Sequence, residues 1–279
     1  MGRPRRTDST GFHHVVNRGV ARQPIFYDVQ DRVEFLRLLG VVHERFDVNI
    51  HAYTLMTNHY HLVIECPNGG LTDAMHLLGS VFVRHVNERA GRDGPLFKDR
   101  YYAKRVETDD YVIRLVNYVH QNPLAMMSEE QLLGYRWSSL RVYSGDRRRP
   151  DWLRTDLVSG LFGGGKAVVE LATGRRTPPT MRVSVGGLVA LIELMVDEYV
   201  DEHVQRIAVR TVSLGLLERL PAEAAELLLD PLAFPSINAE RIARCRARQR
   251  MAAHPALVAA ADAVLAVVAG RFPLVPGTN

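Results

Sequence analysis

Cysteine is nearly missing from this chain: Cys66 and Cys245 are the only two among 279 residues. That is too few for a disulfide framework or a thiolate zinc site, and a reducing cytoplasm is the expected setting. Long apolar runs are missing too. The longest, residues 256–270, spans about 15 positions, is broken by Asp262, and falls short of a membrane span. It reads as an alanine-rich packing helix, and no membrane partner is expected. The start of the chain, Met1 to Arg6, is basic but has no apolar core behind it, so it does not read as a signal peptide. There is no repeat and no low-complexity tract.

What is present is ordinary globular material, 47% hydrophobic and 24% charged, in a chain long enough for two domains. The net charge of +4 is compatible with a polyanionic partner without establishing one. Period-2 and helical spacings alternate through the first half. Residues 12–16 read as a strand, a helix follows Asp28, and strands at 48–54 and 59–65 are joined by a turn at 56–58. A helix over 71–88, a strand over 101–106 and a helix from Thr108 to about Asn122 complete the series; Pro123 sets the last boundary. The order β-α-β-β-α-β-α predicts an α+β class: a ferredoxin-like antiparallel sheet with helices on one face. Residues 1–145 are the expected catalytic domain and 146–182 a connecting segment and linker. Residues 183–279 form an all-helical domain of unknown role, with helices near 187–203, 212–229, 238–252 and 255–269.

The chemistry concentrates at His59-Tyr60-His61. On a strand these two imidazoles project from one face, with Cβ atoms roughly 7 Å apart, so both rings can converge on one divalent ion. Tyr118 and Asn122, one turn apart on a helix, would add a phenol and a carboxamide. Blander readings compete. The two histidines could be polar residues on a solvent face, and Asn122 a helix cap. Tyr111 is a rival nucleophile, Gln121 a rival ligand, and His120 either a general base or a surface residue. Asp109 and Asp110 suit a helix start better than a metal.

Lys98, Arg100, Lys104 and Arg105 are interleaved with Phe97, Tyr101 and Tyr102, which suits single-stranded nucleic acid, with cations for phosphates and rings for bases, and equally suits a solvated charged edge with core aromatics. Arg3, Arg5 and Arg6 form a possible arm. A second basic run, Arg241 to Arg250, spreads around its helix and reads as a solvated face.

Four segments in order resemble the REP-associated tyrosine transposases of the single-tyrosine HUH superfamily. They are Asn17-Arg18-Gly19 with Arg22-Gln23-Pro24-Ile25-Phe26, then Met56 to Leu62, Phe97-Lys98-Asp99-Arg100-Tyr101, and Tyr118-Val119-His120-Gln121-Asn122-Pro123. Trp137-Ser138-Ser139 with Tyr143 is similar to the segment that trails such domains. The resemblance implies that His59, His61 and Asn122 hold a divalent ion, Mg²⁺ or Mn²⁺, and that Tyr118 is the nucleophile. It implies cleavage and rejoining of single-stranded or hairpin DNA through a 5′-phosphotyrosine, with Arg18 and Arg22 near the DNA. Thr57 stands where proline is common, and Leu124-Ala125-Met126 replaces Val-Arg-Ala, which removes an arginine just after the helix. A non-catalytic DNA-binding regulator and a water-using phosphodiesterase are the competing functions. Monomer and homodimer both remain open.

Overall fold

The computed structural model describes residues 10–106, 109–176, 202–217 and 237–268, together with 189, 192, 195, 196, 219, 220 and 232. Arg3, Arg5 and Arg6, and the expected linker from 177 onward, lie outside the described residues. The chain divides into two compact units, Met1–Thr177 and Pro178–Asn279.

The first unit opens β1(Gly11–Arg18), α1(Val29–Phe46), β2(Asn49–Leu55), β3(His59–Cys66), α2(Leu71–Ala90), β4(Tyr102–Val106) and α3(Asp109–Gln121). The four strands form one antiparallel sheet in the order β2-β3-β1-β4. Alternation along β3 decides what each face carries. Tyr60, Leu62, Ile64 and Cys66 join the apolar core with residues of α1 and α2. Phe35 of α1 lies 4.7 Å from the Tyr60 ring and 5.0 Å from Phe82 of α2. The start of α1 is fixed by Asp28, which accepts from the Gln30 and Asp31 backbone amides, while Asp31 answers with a bond to the Asp28 amide.

His59, His61 and Val63 take the other face, and here the expected ferredoxin-like sheet carries one helix more than the expectation of helices on one face included. α1 and α2 do share a face, but α3 lies against the opposite one, beside His61 and β2. Residues 111–121 of α3 are buried all round, so the helix needs cover on every side, and the second face of the sheet is part of that cover. After a 3-10 turn at Asn122–Ala125, α4(Glu129–Leu132) and α5(Leu140–Tyr143) lead to α6(Asp156–Phe162) and α7(Gly165–Ala172). The last two pack on α3 and fall in the first compact unit, within the 146–182 that reads from sequence as a connecting segment.

Hydrogen bonds clamp α3 in place. Thr54 Oγ1 donates to the Val119 carbonyl at 2.6 Å, and Gln121 Nε2 donates to the Ala172 carbonyl at 2.7 Å. The segment 137–139 runs beside β2, with Leu55 N–H donating to the Trp137 carbonyl and Ser139 N–H to that of Tyr53. Ser139 Oγ accepts from the Tyr53 amide at 2.9 Å and meets His120 Nε2 at 2.8 Å. Trp137-Ser138-Ser139 is thus the strap that ties the tyrosine helix to the sheet.

In the second unit the helices Glu202–Leu216, Ile237–Ala253 and Pro255–Val268 pack on one another. The first bridges the gap expected between 203 and 212, because Ala208, Val212 and Leu216 form an unbroken buried stripe with no breaker in it. A Cβ on Gly215 would sit 2.1 Å from Met251 Sδ, so glycine is what lets these two helices approach.

Ser139→Ala removes the partner of two buried polar groups at once. Urea denaturation should show stability lower by about 2 kcal/mol with an unchanged slope; an unchanged midpoint would mean that the strap contributes nothing.

Candidate active site

Register builds the site from three strands. Val16 and Thr54 both face His61, and His14 faces Val63, so His14, His59 and His61 share the face that α3 covers. Asn122, first residue of the 3-10 turn that ends α3, reaches back between the two imidazoles of β3. Its Oδ1 lies 3.0 Å from His59 Nε2 and its Nδ2 lies 3.0 Å from His61 Nε2. The Tyr118 ring, one turn earlier, stands edge-on to His61 at 5.3 Å and 89°, and to His14 at 6.0 Å and 82°. The two imidazoles, the carboxamide and the phenol therefore meet at one place in one chain.

Proton bookkeeping tests whether the set fits a cation. Asn58 Nδ2 donates to the Arg22 carbonyl, which turns Asn58 Oδ1 toward His59 Nδ1 at 2.7 Å and makes that nitrogen the N–H donor. His59 Nε2 then carries a lone pair and faces Asn122 Oδ1, a second acceptor. Two acceptors at 3.0 Å repel unless a proton or a cation lies between them. Turning the carboxamide end for end relieves that contact only if the His61 proton also moves to Nε2, with His14 Nε2 then donating to His61 Nδ1. His61 accepts from Asn122 Nδ2 at Nε2, so its own proton sits on Nδ1 and is shared with His14 Nε2 at 3.0 Å. Both Nε2 lone pairs thus point at Asn122, with the outer nitrogens held by a second layer, as metal-binding histidines usually are. Among the described residues no group of three or more His, Cys, Asp or Glu side chains could hold a metal. The candidate set has only two such side chains and takes its third ligand from an amide.

Electrostatics agree. Burial holds His59 down to about 4, against the hydrogen bond to Asn122 and helped by the charges of Arg18 and Arg22. Burial, with its histidine neighbours, takes His61 well below the ordinary imidazole value, and burial alone takes His14 to about 3. The rings are neutral across the physiological range, the form that ligates.

Tyr111 is as buried as Tyr118, and burial raises its phenol pKa; the other competitors are engaged elsewhere. Gln121 is engaged with α7, and His120 with Ser139. Of the basic candidates, Arg18 stands opposite His59, and Arg22 is close enough to act on that ring's charge. The Lys98 amide donates to the Arg18 carbonyl, and Arg100 lies on the exposed loop beyond it. Lys104 faces His14 across β4, whereas Arg105 faces His13 on the other side of the sheet. A Cβ on Gly19 would fall 2.0 Å from the Gln23 carbonyl oxygen, so the turn after β1 closes only with glycine there. That turn holds Ala21 and Arg22 at φ of 49° and 57°, a strain of the kind found at functional sites.

Two residues of the site had no role in the sequence reading. Asn58 adjoins His59 and was legible only as part of the motif. His14 was invisible without the strand register.

Four buried histidines make a pH test. His14, His59, His61 and His120 must stay neutral when folded, while the unfolded chain protonates near pH ~6.5. The unfolded state binds more protons below that value, so stability is full above it and falls as pH drops toward 4. Each histidine contributes up to ~1.4 kcal/mol per pH unit to the slope. Denaturant melts between pH 7.5 and 4.5 should show this loss, and His14→Gln should flatten it; a flat profile in the native protein would contradict the burial argument.

No curated protein matches the chain. A solved structure of a REP-associated tyrosine transposase bound to a REP hairpin is similar over 56% of this chain and 93% of its own, with 16% identity and a TM-score of 0.42. Residues 9–122, the segment that supplies the sheet, both imidazoles, the phenol and the carboxamide, match the family model described as "Transposase IS200 like".

Proposed function

We propose that this protein cuts and rejoins single-stranded or hairpin DNA through a covalent link to Tyr118. One observation carries the reading: the Tyr118 ring rests on His61 while Asn122 joins both imidazoles, inside the segment that matches the IS200-like transposase model. His59, His61 and Asn122 would hold a Mg²⁺ or Mn²⁺ ion, which when bound neutralises a phosphate oxygen and orients the phosphodiester.

The residues do the rest. Tyr118 Oη forms a bond to phosphorus, and the bond from phosphorus to the 3′ oxygen breaks. The phenol proton passes to water, and the departing 3′ oxygen takes up a proton to leave as a hydroxyl. The 5′-phosphotyrosine keeps a phosphodiester's worth of bond energy, so another 3′-hydroxyl can reverse the step and release Tyr118. Arg18 and Arg22 raise the positive potential beside His59, which favours a phosphate there. Lys98 and Arg100 extend that potential along the loop before β4, and Lys104 extends it on the imidazole face; Arg105 would serve only DNA passing the far side of the sheet. The four reacting groups come from one chain, so the chemistry requires no second subunit. A cytoplasmic site of action suits a chain with neither cysteine in a disulfide. Among the described residues no helix is long and apolar enough to cross a membrane.

Denaturing gels with 3′-end-labelled single-stranded DNA and Mn²⁺ test this. The native protein should carry label as an adduct; Tyr118→Phe should bind DNA but form none, and chelation should abolish the adduct. Cleavage without adduct would mean a water-using phosphodiesterase, and binding without cleavage a regulator. Asn58→Ala, which releases the His59 tautomer, should slow adduct formation roughly 10–100-fold.

A further inference from the structure

A cavity of about 450 Å³ opens on the face of the sheet opposite the imidazoles, between α2 and the loop before β4. Its floor is Tyr60, with Phe97 edge-on at 6.1 Å and 84° and Tyr101 beside them. Phe97 and Tyr101 are half-buried, so rings are available to a flat guest. Asn17 lines the wall with its Oδ1 taken by the Arg18 amide, Asp99 brings a hydrogen-bonding group to it, and Arg100 brings a cation. The size lies in the range of small-ligand sites, ~300–1,000 Å³.

Gly79 is the unexplained residue of this cavity. It lies within α2, where glycine costs up to ~1 kcal/mol against alanine. Its φ is not in the left-handed region, and a Cβ there would meet nothing within 4 Å. Neither backbone geometry nor close packing calls for glycine, and what its missing side chain leaves is room in the cavity.

We propose that this cavity receives an unstacked base of the same DNA strand that reaches Tyr118, with the base among Tyr60, Phe97 and Tyr101 and its phosphate toward Arg100. This rests on the reading of the protein as one that processes single-stranded DNA. Position favours it: Asn17 and Tyr60 pair across β1 and β3, and their chain neighbours Arg18 and His59 pair beside them on the other face. A strand leaving the imidazoles around the end of β1 and β3 arrives at the cavity. Aromatic walls hold bases with little regard to identity, while Asp99, exposed on the loop, can select by a base edge. Asp99 would repel a phosphate, which leaves the Arg100 side for the backbone.

The test compares the native protein with Gly79→Leu, whose side chain projects into the cavity and favours the helix. A thermal midpoint at or above native verifies folding. Fluorescence anisotropy then measures affinity for an oligonucleotide and for a series with single abasic positions. Native protein should lose about tenfold at one position. Gly79→Leu should bind the intact strand about tenfold more weakly and lose nothing further there. Equal affinities and equal abasic profiles would overturn the cavity proposal, and a Tyr118 adduct still forming would leave the phosphotyrosine reading standing. Binding with the expected profiles but no adduct would sink the phosphotyrosine reading alone. No binding at all would overturn both.

Discussion

A carboxamide has one donating end and one accepting end, and Asn122 presents one of them to each of two imidazoles that both offer lone pairs. That mismatch is the constraint around which this face of the sheet is arranged. It is relieved by turning the amide together with a proton shift on His61, or by placing a cation among the three groups, so the site has two settled states and a reason to bind metal. Asn58 and His14 make the second state available by fixing the outer nitrogens, one from the hairpin turn and one from the neighbouring strand.

The constraint is useful only if Asn122 and Tyr118 arrive together, and the fold spends much of its polar bonding on that. α3 is held by Thr54 under its last turn, by Ser139 at His120, and by the end of α7 at Gln121. None of these bonds uses a side-chain atom of His59, His61, Tyr118 or Asn122, so the helix is located without occupying the site. The other face of the sheet is ordinary apolar packing around Phe35, Tyr60 and Phe82. A division follows between a face that supplies stability and one that supplies chemistry, with β1 and β3 serving both.

Much of this was legible in the amino-acid sequence because strand and helix periods are local. His59 and His61 had to share a face once β3 was a strand, and Tyr118 and Asn122 had to share one once α3 was a helix. The ferredoxin-like strand order followed from the alternation of elements. What was not legible depends on pairing between distant segments. Nothing within α3 says which face of the sheet it covers, and only the register of β1 against β3 brings His14 to His61. The strap at 137–139 looked like a trailing segment because its partners, Tyr53 and His120, are remote in the chain. The two helices within residues 156–172 are short, and their period is too brief to stand out from a connecting segment. In the second unit, a stripe running through Ala208 and Val212 carried one helix across an expected break.

The central claim is that His59 and His61 hold one cation beside Tyr118. Pulsed electron paramagnetic resonance of bound Mn²⁺ reads the ligand nitrogens directly. The native protein should give couplings from two imidazole nitrogens, His61→Ala should retain one, and Tyr118→Phe should keep both. Mn²⁺ that binds with no imidazole coupling in the native protein would contradict the account.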